Sequence, residues 1–221
     1  MPRKHLLIYS VFFCALAMWS GSVRANSELP IRFHRLMLED GLSQSSIVSL
    51  HQDSRGFIWM GTQDGLNRYD GSKFLVYKTD PDRRHSLSDP NITCIAEDSK
   101  GDLWMGTEGG GFNLYLRNHE FFFSYRNDPN DPDKHHYYDV RDVIVGQDNA
   151  VWLATLGDGL LRFDTETEEI TSYLHDPQDP FSISSDDIHS LLLDPEGVLW
   201  IGTARGLSRL DPATLKIRNY I

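Results

Sequence analysis

From residue 47 onward, apolar and polar residues alternate with period two. The runs are four to six residues long and are separated by turn-forming residues. This pattern predicts short β-strands, with no apolar 3.6-residue period of helical length in the body of the chain. The strands recur in a fixed register. Trp59, Trp104, Trp152 and Trp200 stand 45 to 48 residues apart. Around them run Phe57-Ile58-Trp59-Met60-Gly61-Thr62, Leu103-Trp104-Met105-Gly106-Thr107, Val151-Trp152-Leu153-Ala154-Thr155 and Leu199-Trp200-Ile201-Gly202-Thr203. A β-branched residue stands twelve positions before each tryptophan (Ile47, Ile92, Val140, Ile188), and an aliphatic one nine before it (Leu50, Ile95, Val143, Leu191). Gly65-Leu66, Gly111-Phe112, Gly159-Leu160 and Gly206-Leu207 follow. Each unit closes on an apolar residue and a tyrosine: Phe74/Tyr77, Phe122/Tyr125, Ile170/Tyr173 and Ile217/Tyr220.

Each unit reads as four strands, and repeated four-stranded units of this length are propeller blades. The predicted fold is all-β, a partial propeller of four blades over 47–91, 92–139, 140–187 and 188–221, after a lead-in over 26–46. In a blade both sheet faces pack on neighbours. Phe57 and Trp59 then point one way, Ile58 and Met60 the other. The four tryptophans are read as core, and the glycine two residues after three of them as relief for close approach of the next blade. Ala154 is the single replacement. Asp53-Ser54-Arg55-Gly56, Asp98-Ser99-Lys100-Gly101 and Asp194-Pro195-Glu196-Gly197 each suit a type I turn followed by a left-handed residue. The third unit has Gly146-Gln147-Asp148-Asn149, with Asn as the next-best residue at positive φ.

Asp53-x-x-Gly56, Trp59-Met60-Gly61-Thr62, Gly65-Leu66 and Arg68-Tyr69-Asp70 resemble the two-component regulator propeller repeat. The stretch from Phe33 through Glu39-Asp40-Gly41-Leu42-Ser43 is similar to the opening of such sensors. The second unit departs most: Asn113-Leu114-Tyr115-Leu116 lacks the terminal Asp. The resemblance implies a periplasmic propeller joined to a membrane helix and a histidine kinase or diguanylate cyclase output domain. No signature of either output stands in this chain.

The first residues change the picture of location. Arg3 and Lys4 precede an apolar run from Leu6 to Trp19, and Val23-Arg24-Ala25 places small residues where a signal peptidase reads. The run is shorter than the roughly 18–20 residues that span a bilayer. A signal peptide over 1–25, cleaved after Ala25, and a periplasmic mature chain are expected, within a receptor of the inner membrane. The whole chain carries a net charge of −11, and the leader removes only basic residues. An acidic surface disfavours nucleic acid. Cys94 is the one cysteine beyond the leader, and its apolar setting reads as packing.

Candidate chemistry lies in the loops. Turns between second and third strands carry Asp64, Glu108, Asp158 and Arg205, which could meet the hydroxyls of a sugar or a cation. Loops between blades carry Arg83-Arg84-His85 and His135-His136, with Arg84 and His136 as the contact candidates. They also repeat an Asp-Pro theme (Asp80-Pro81, Asp128-Pro129, Asp131-Pro132, Asp176-Pro177, Asp179-Pro180) that sets rigid turns. No metal is assigned, no cofactor is expected and no catalytic constellation can be assembled.

The functional expectation is a ligand-sensing propeller region, taking an extracellular small molecule or glycan fragment. The alternatives are a secreted propeller enzyme (a lyase or quinone-dependent oxidoreductase) and a structural interaction scaffold. One further strand is expected over 31–38. With four blades and that extra strand the chain reads as a fragment, whose partners are the remaining blades and output domains. The first and last blades should then bare apolar faces and self-associate, as in a homodimer.

Overall fold

The computed structural model of the protein describes residues 33–126 and 139–220. Sixteen strands form four antiparallel sheets, each with strand order following the chain. Blade 1 holds β1 (Ile47–Gln52), β2 (Ile58–Thr62), β3 (Gly65–Tyr69) and β4 (Phe74–Tyr77). Blade 2 holds β5 (Ile92–Glu97), β6 (Leu103–Thr107), β7 (Phe112–Leu116) and β8 (Phe121–Tyr125). Blade 3 holds β9 (Val140–Val145), β10 (Val151–Thr155), β11 (Leu160–Phe163) and β12 (Ile170–Tyr173). Blade 4 holds β13 (Ile188–Leu193), β14 (Leu199–Thr203), β15 (Gly206–Asp211) and β16 (Lys216–Tyr220). All four lie in one compact unit, Leu36–Ile221.

The strand expected over 31–38 is not formed in its described part. Residues 33–37 join no ladder, and Leu38–Asp40 make one turn of 3₁₀ helix. A lone strand has no partner for its backbone groups. Here the Asp40 carboxylate instead accepts the Met37 N–H at 2.7 Å, and Gly41 (φ 106°) turns the chain toward blade 1.

Inside a blade one aspartate organises the first hairpin. Asp53 Oδ1 accepts the N–H groups of Arg55 and Phe57, both at 2.9 Å, and Oδ2 accepts Trp59 Nε1–H at 2.8 Å. Asp98 and Asp194 hold Trp104 and Trp200 in the same way, at 3.1 and 2.9 Å. So the residue that favours the turn also satisfies the indole N–H of a buried ring. In the third unit Asn149 takes the left-handed position with φ 64°. Gly146 replaces the aspartate. A Cβ there would come within 2.6 Å of Asp148 Oδ1. Asp148 Oδ2 instead accepts from Arg162, whose guanidinium lies over the Trp152 ring.

Neighbouring blades meet through the same positions each time. The tryptophan face of one blade packs on the β-branched face of the next. Trp59, Leu66 and Tyr77 meet Ile92, Met105 and Tyr115. Trp104 and Phe112 meet Val140, Leu153 and Phe163. Trp152 and Leu160 meet Ile188, Ile201 and Leu210. Each such side chain contributes about 1.5–3 kcal/mol on burial. A Cβ at Gly61 would stand 2.8 Å from Ile92, and one at Gly106 2.5 Å from Val140. These glycines are the notches that admit the next blade. Cys94 sits in the second junction, its thiol pushed up to about 12 by burial.

The second unit's departure has a specific outcome. Without an aspartate at the end of β7, the chain continues to Arg117, whose N–H is held by Asp102 Oδ1. The guanidinium turns inward and reaches Asp53 Oδ2 at 3.1 Å and Glu97 Oε1 at 3.0 Å. Glu97 also accepts from the Ser54 N–H and hydroxyl. Blades 1 and 2 are therefore joined by a buried ion network laid over the apolar junction.

Candidate functional site

The loops before blades 2 and 4 share one architecture. Asp80 N–H donates to Ser86 Oγ, whose hydroxyl donates back to the Asp80 carbonyl. Asp176 and Ser182 repeat this pair at 2.9 and 3.0 Å. The proline after each aspartate fixes φ within the loop so closed. Leu87 and Ile183 then plug the blade junctions below, with 3% and 0% exposure. Ser88 is latched to Asn113 by two bonds, Ser88 N–H to Asn113 Oδ1 at 3.1 Å and Asn113 Nδ2–H to Ser88 Oγ at 2.8 Å. Ser43 with Asn67, and Ser184 with Ser208, make the equivalent latches. Sequence reasoning missed them. Their signal is a polar residue two positions after the recurring glycine of an otherwise apolar third strand.

The loop 79–90 leaves a cavity of about 690 Å³ between itself and the outer strand β8, a size usual for small-ligand sites. Arg83, Arg84, His85 and Arg126 line it, with Phe123 and Ser124 from β8. Arg83 Nε is 3.2 Å from Asp80 Oδ2. The His85 ring is held between Phe121 and Phe123, with ring centroids at 4.7 and 5.6 Å. Its carbonyl accepts the Phe122 N–H, which ties the loop to the strand. Among the described residues neither Arg84 nor Arg126 enters an ion pair. Phe122 is buried core, whereas Phe123 is 41% exposed and forms part of the cavity wall. In an acidic chain this is a local concentration of positive charge, beside an aromatic face and hydroxyl groups. It is suited to an anion carried on a hydroxylated ring.

The other sequence candidates lie apart from this cavity. Asp64, Glu108, Asp158 and Arg205 occupy the turn between second and third strands, one per blade. Thr62, Thr107, Thr155 and Thr203 close these turns by donating to the carbonyls of Gly65, Gly111, Gly159 and Gly206. Asp64 is paired with Lys78 at 2.8 Å. Asp158 and Arg205 take threonine hydroxyls through their backbone N–H groups. Backbone bonds such as Glu108 N–H to Asn91 and Ala204 N–H to Asp187 place these turns on the face of the inter-blade loops. Of the named candidates among the described residues, Arg84 lines the cavity. His136 and its neighbour His135 lie outside the described residues. No group of three or more His, Cys, Asp or Glu side chains suited to a metal ion exists among the described residues.

This architecture defines a β-propeller of four-stranded blades. Residues 41–64, 86–109 and 182–205 match the family model described as two component regulator propeller. Over 49 residues, 22% of this chain and 4% of the relative, it is 49% identical to histidine kinase P4 of Formosa agariphila. Its fold is similar to an extracellular domain assigned to a hybrid two component system of B. thetaiotaomicron. The TM-score is 0.73 at 26% identity, covering 85% of this chain and 26% of that one. Virginiamycin B lyase from Staphylococcus aureus, at 18% identity, shares the fold with a TM-score of 0.60 over 81% of this chain and 57% of the lyase. The chain thus spans a small part of the kinase and about a quarter of the extracellular domain. No helix among the described residues is long and apolar enough to cross a membrane.

Proposed function

We propose that this chain is the ligand-sensing propeller region of an exported, periplasmic part of a two-component or cyclic-di-GMP receptor. Its ligand is an acidic saccharide, such as a uronate-containing oligosaccharide, taken up in the cavity under the 79–90 loop. The observation that carries this is the basic wall of Arg83, Arg84, His85 and Arg126 around Phe123. Arginine offers paired donors to a carboxylate, and an aromatic face takes the apolar side of a sugar ring. The same loop carries Leu87 into the blade 1–2 junction and latches to Asn113 through Ser88. A ligand that prefers one loop position therefore biases the junction, which is the change a downstream output domain would read. Membership of a receptor is supported by the repeat family and by the likeness to a sensor's extracellular domain.

Calorimetric titration with oligouronates and with their carboxyl-reduced, neutral counterparts tests the reading. Binding of the acidic form, weakened at least about tenfold by Arg84→Ala, as loss of a charge-assisted bond implies, is the expected result. Equal affinity for the neutral form would remove the anionic ligand. Shortening of the oligosaccharide during incubation would favour the lyase alternative.

A further inference from the structure

The cavity under the 79–90 loop has a neighbour. A second cavity, of about 460 Å³, lies between the end of β4 and the turn before β8. Val76 and Lys78 line it from one side and Glu120 from the other. Asp80, Arg83, His85 and Phe122 line both cavities. The two therefore adjoin across Arg83 and His85, and a ligand that outgrows the first enters the second.

The two differ in charge. Arg84 and Arg126 line only the first and enter no ion pair among the described residues, which leaves it a surplus of positive charge. In the second, Lys78, Arg83, Asp80 and Glu120 each have a counter-charge. Lys78 Nζ donates to both Asp64 carboxylate oxygens, at 3.0 and 2.8 Å. Arg83 meets Asp80 at 3.2 Å, and Glu120 lies 3.7 Å from Arg68. A carboxylate placed there would find both cations engaged and the Asp80 and Glu120 carboxylates beside it, which disfavours it. The hydroxyl groups of a neutral sugar suit the same place. The carboxylate oxygens accept from them, the Thr79 hydroxyl can donate or accept, and Val76 offers an apolar contact.

We propose that the second cavity is a subsite for a neutral sugar. The preferred ligand is then a mixed oligosaccharide, with an acidic unit held by Arg84 and Arg126 and joined to a neutral unit beside Val76 and Glu120. The proposal rests on the reading of the first cavity as an acidic-saccharide site, and it adds selection by length and by the order of charges. A lone uronate leaves the second cavity unused. A diuronate sets its second charge against Glu120.

Calorimetric titration of the full chain with three probes tests this: a uronate monosaccharide, a uronosyl-hexose disaccharide and a diuronate, each in glucuronate and galacturonate form. The mixed disaccharide is expected to bind about tenfold tighter than either of the others. Two variants locate the effect. Val76→Trp fills the second cavity and should bring the mixed disaccharide down to the affinity of the monosaccharide, which itself should not change. Glu120 has 66% side-chain exposure, so the fold tolerates Glu120→Lys. That variant should shift preference toward the diuronate, a gain that no folding defect produces. Equal affinity for the monosaccharide and the mixed disaccharide would overturn the proposal and leave the reading of the first cavity standing. So would a diuronate that binds wild type as tightly as the mixed form, or an unchanged preference in Glu120→Lys. Failure of all three acidic probes to bind would remove the reading of the first cavity, and the second subsite with it.

Discussion

The junction between blades 1 and 2 and the junction between blades 3 and 4 have the same apolar frame and opposite polar fittings. In both, a tryptophan lies under the next blade's third strand, Trp59 under Tyr115 and Trp152 under Leu210. At the first junction Arg117, Asp53 and Glu97 are charged and mutually satisfied. At the last, a partly buried carboxylate, Asp142, accepts the Leu191 N–H at 2.8 Å across the blades, and burial pushes its pKa up. The repeat therefore sets how blades stack, while polar residues that do not repeat make each junction distinct. Damage to the shared frame should have the largest effect. Trp59→Ala and Trp152→Ala should each cost about 3–5 kcal/mol, as buried aromatic truncations do. Trp200→Ala should cost this chain clearly less, because that ring is partly exposed where Trp59 and Trp152 are buried. Denaturant midpoints of the three variants decide this. Equal losses would mean that the stacking contributes little.

Legibility in the sequence follows the same division. Strand positions, the glycine notches and the facing of Phe57 and Trp59 could be read because they recur in four units with the same spacing. The aspartate of the first turn was legible as a turn residue only. Its bond to the indole six residues later is a tertiary fact, although the fixed Asp-to-Trp spacing in three units carried it. Arg117 was not legible. It stands at a position with no counterpart in the other units, and its partners are 20 and 64 residues away. Over its described residues, 33–38, the expected strand does not form, because alternation marks a segment able to pair without supplying the edge it would pair with. The cavity arises from one loop meeting one outer strand, so Arg84 could be picked out by its charge, but Arg126 and Phe123 could not be placed beside it.

The second prediction separates the polar fittings. Arg117→Met removes the cation from a network in which Asp53 has 0% and Glu97 13% side-chain exposure. Breaking a buried pair from one side typically costs about 3–5 kcal/mol. Asp53 keeps the Trp59 bond and two backbone N–H bonds, so the loss should fall at or below the low end of that range. Asp142→Asn keeps an oxygen for Leu191 and sheds a charge that burial disfavours, but it sets an amide NH2 against the Val143 N–H that the other carboxylate oxygen accepted, so at neutral pH the net change should be small and well below that of Arg117→Met. Chemical unfolding of both variants checks the contrast, and a large loss in Asp142→Asn would reverse the assignment of that junction.

The smallest effect is a difference in sign with pH. Burial alone would raise the pKa of Glu97, but the Ser54 hydroxyl and N–H, followed by the Arg117 charge, outweigh it and hold the group below its ordinary value of 4.5. Its contribution is therefore full above 4.5 and is lost as pH falls through the lower folded value. Asp142 is shifted the other way, above its ordinary value of 3.8, by burial that the N–H groups of Leu191 and Val143 only partly offset. The folded state then binds that proton more tightly than the unfolded chain. Stability at this junction rises as pH falls from the elevated value toward 3.8. Unfolding midpoints measured from neutral pH down to the acid side of 3.8 expose both signs against matched variants. The wild type should lose its advantage over Glu97→Gln because it weakens on acidification. Any deficit relative to Asp142→Asn should close because the wild type gains. If both gaps moved with the same sign, the two junctions would share one electrostatic character, and the distinction between a satisfied ion network and a partly buried carboxylate would fail.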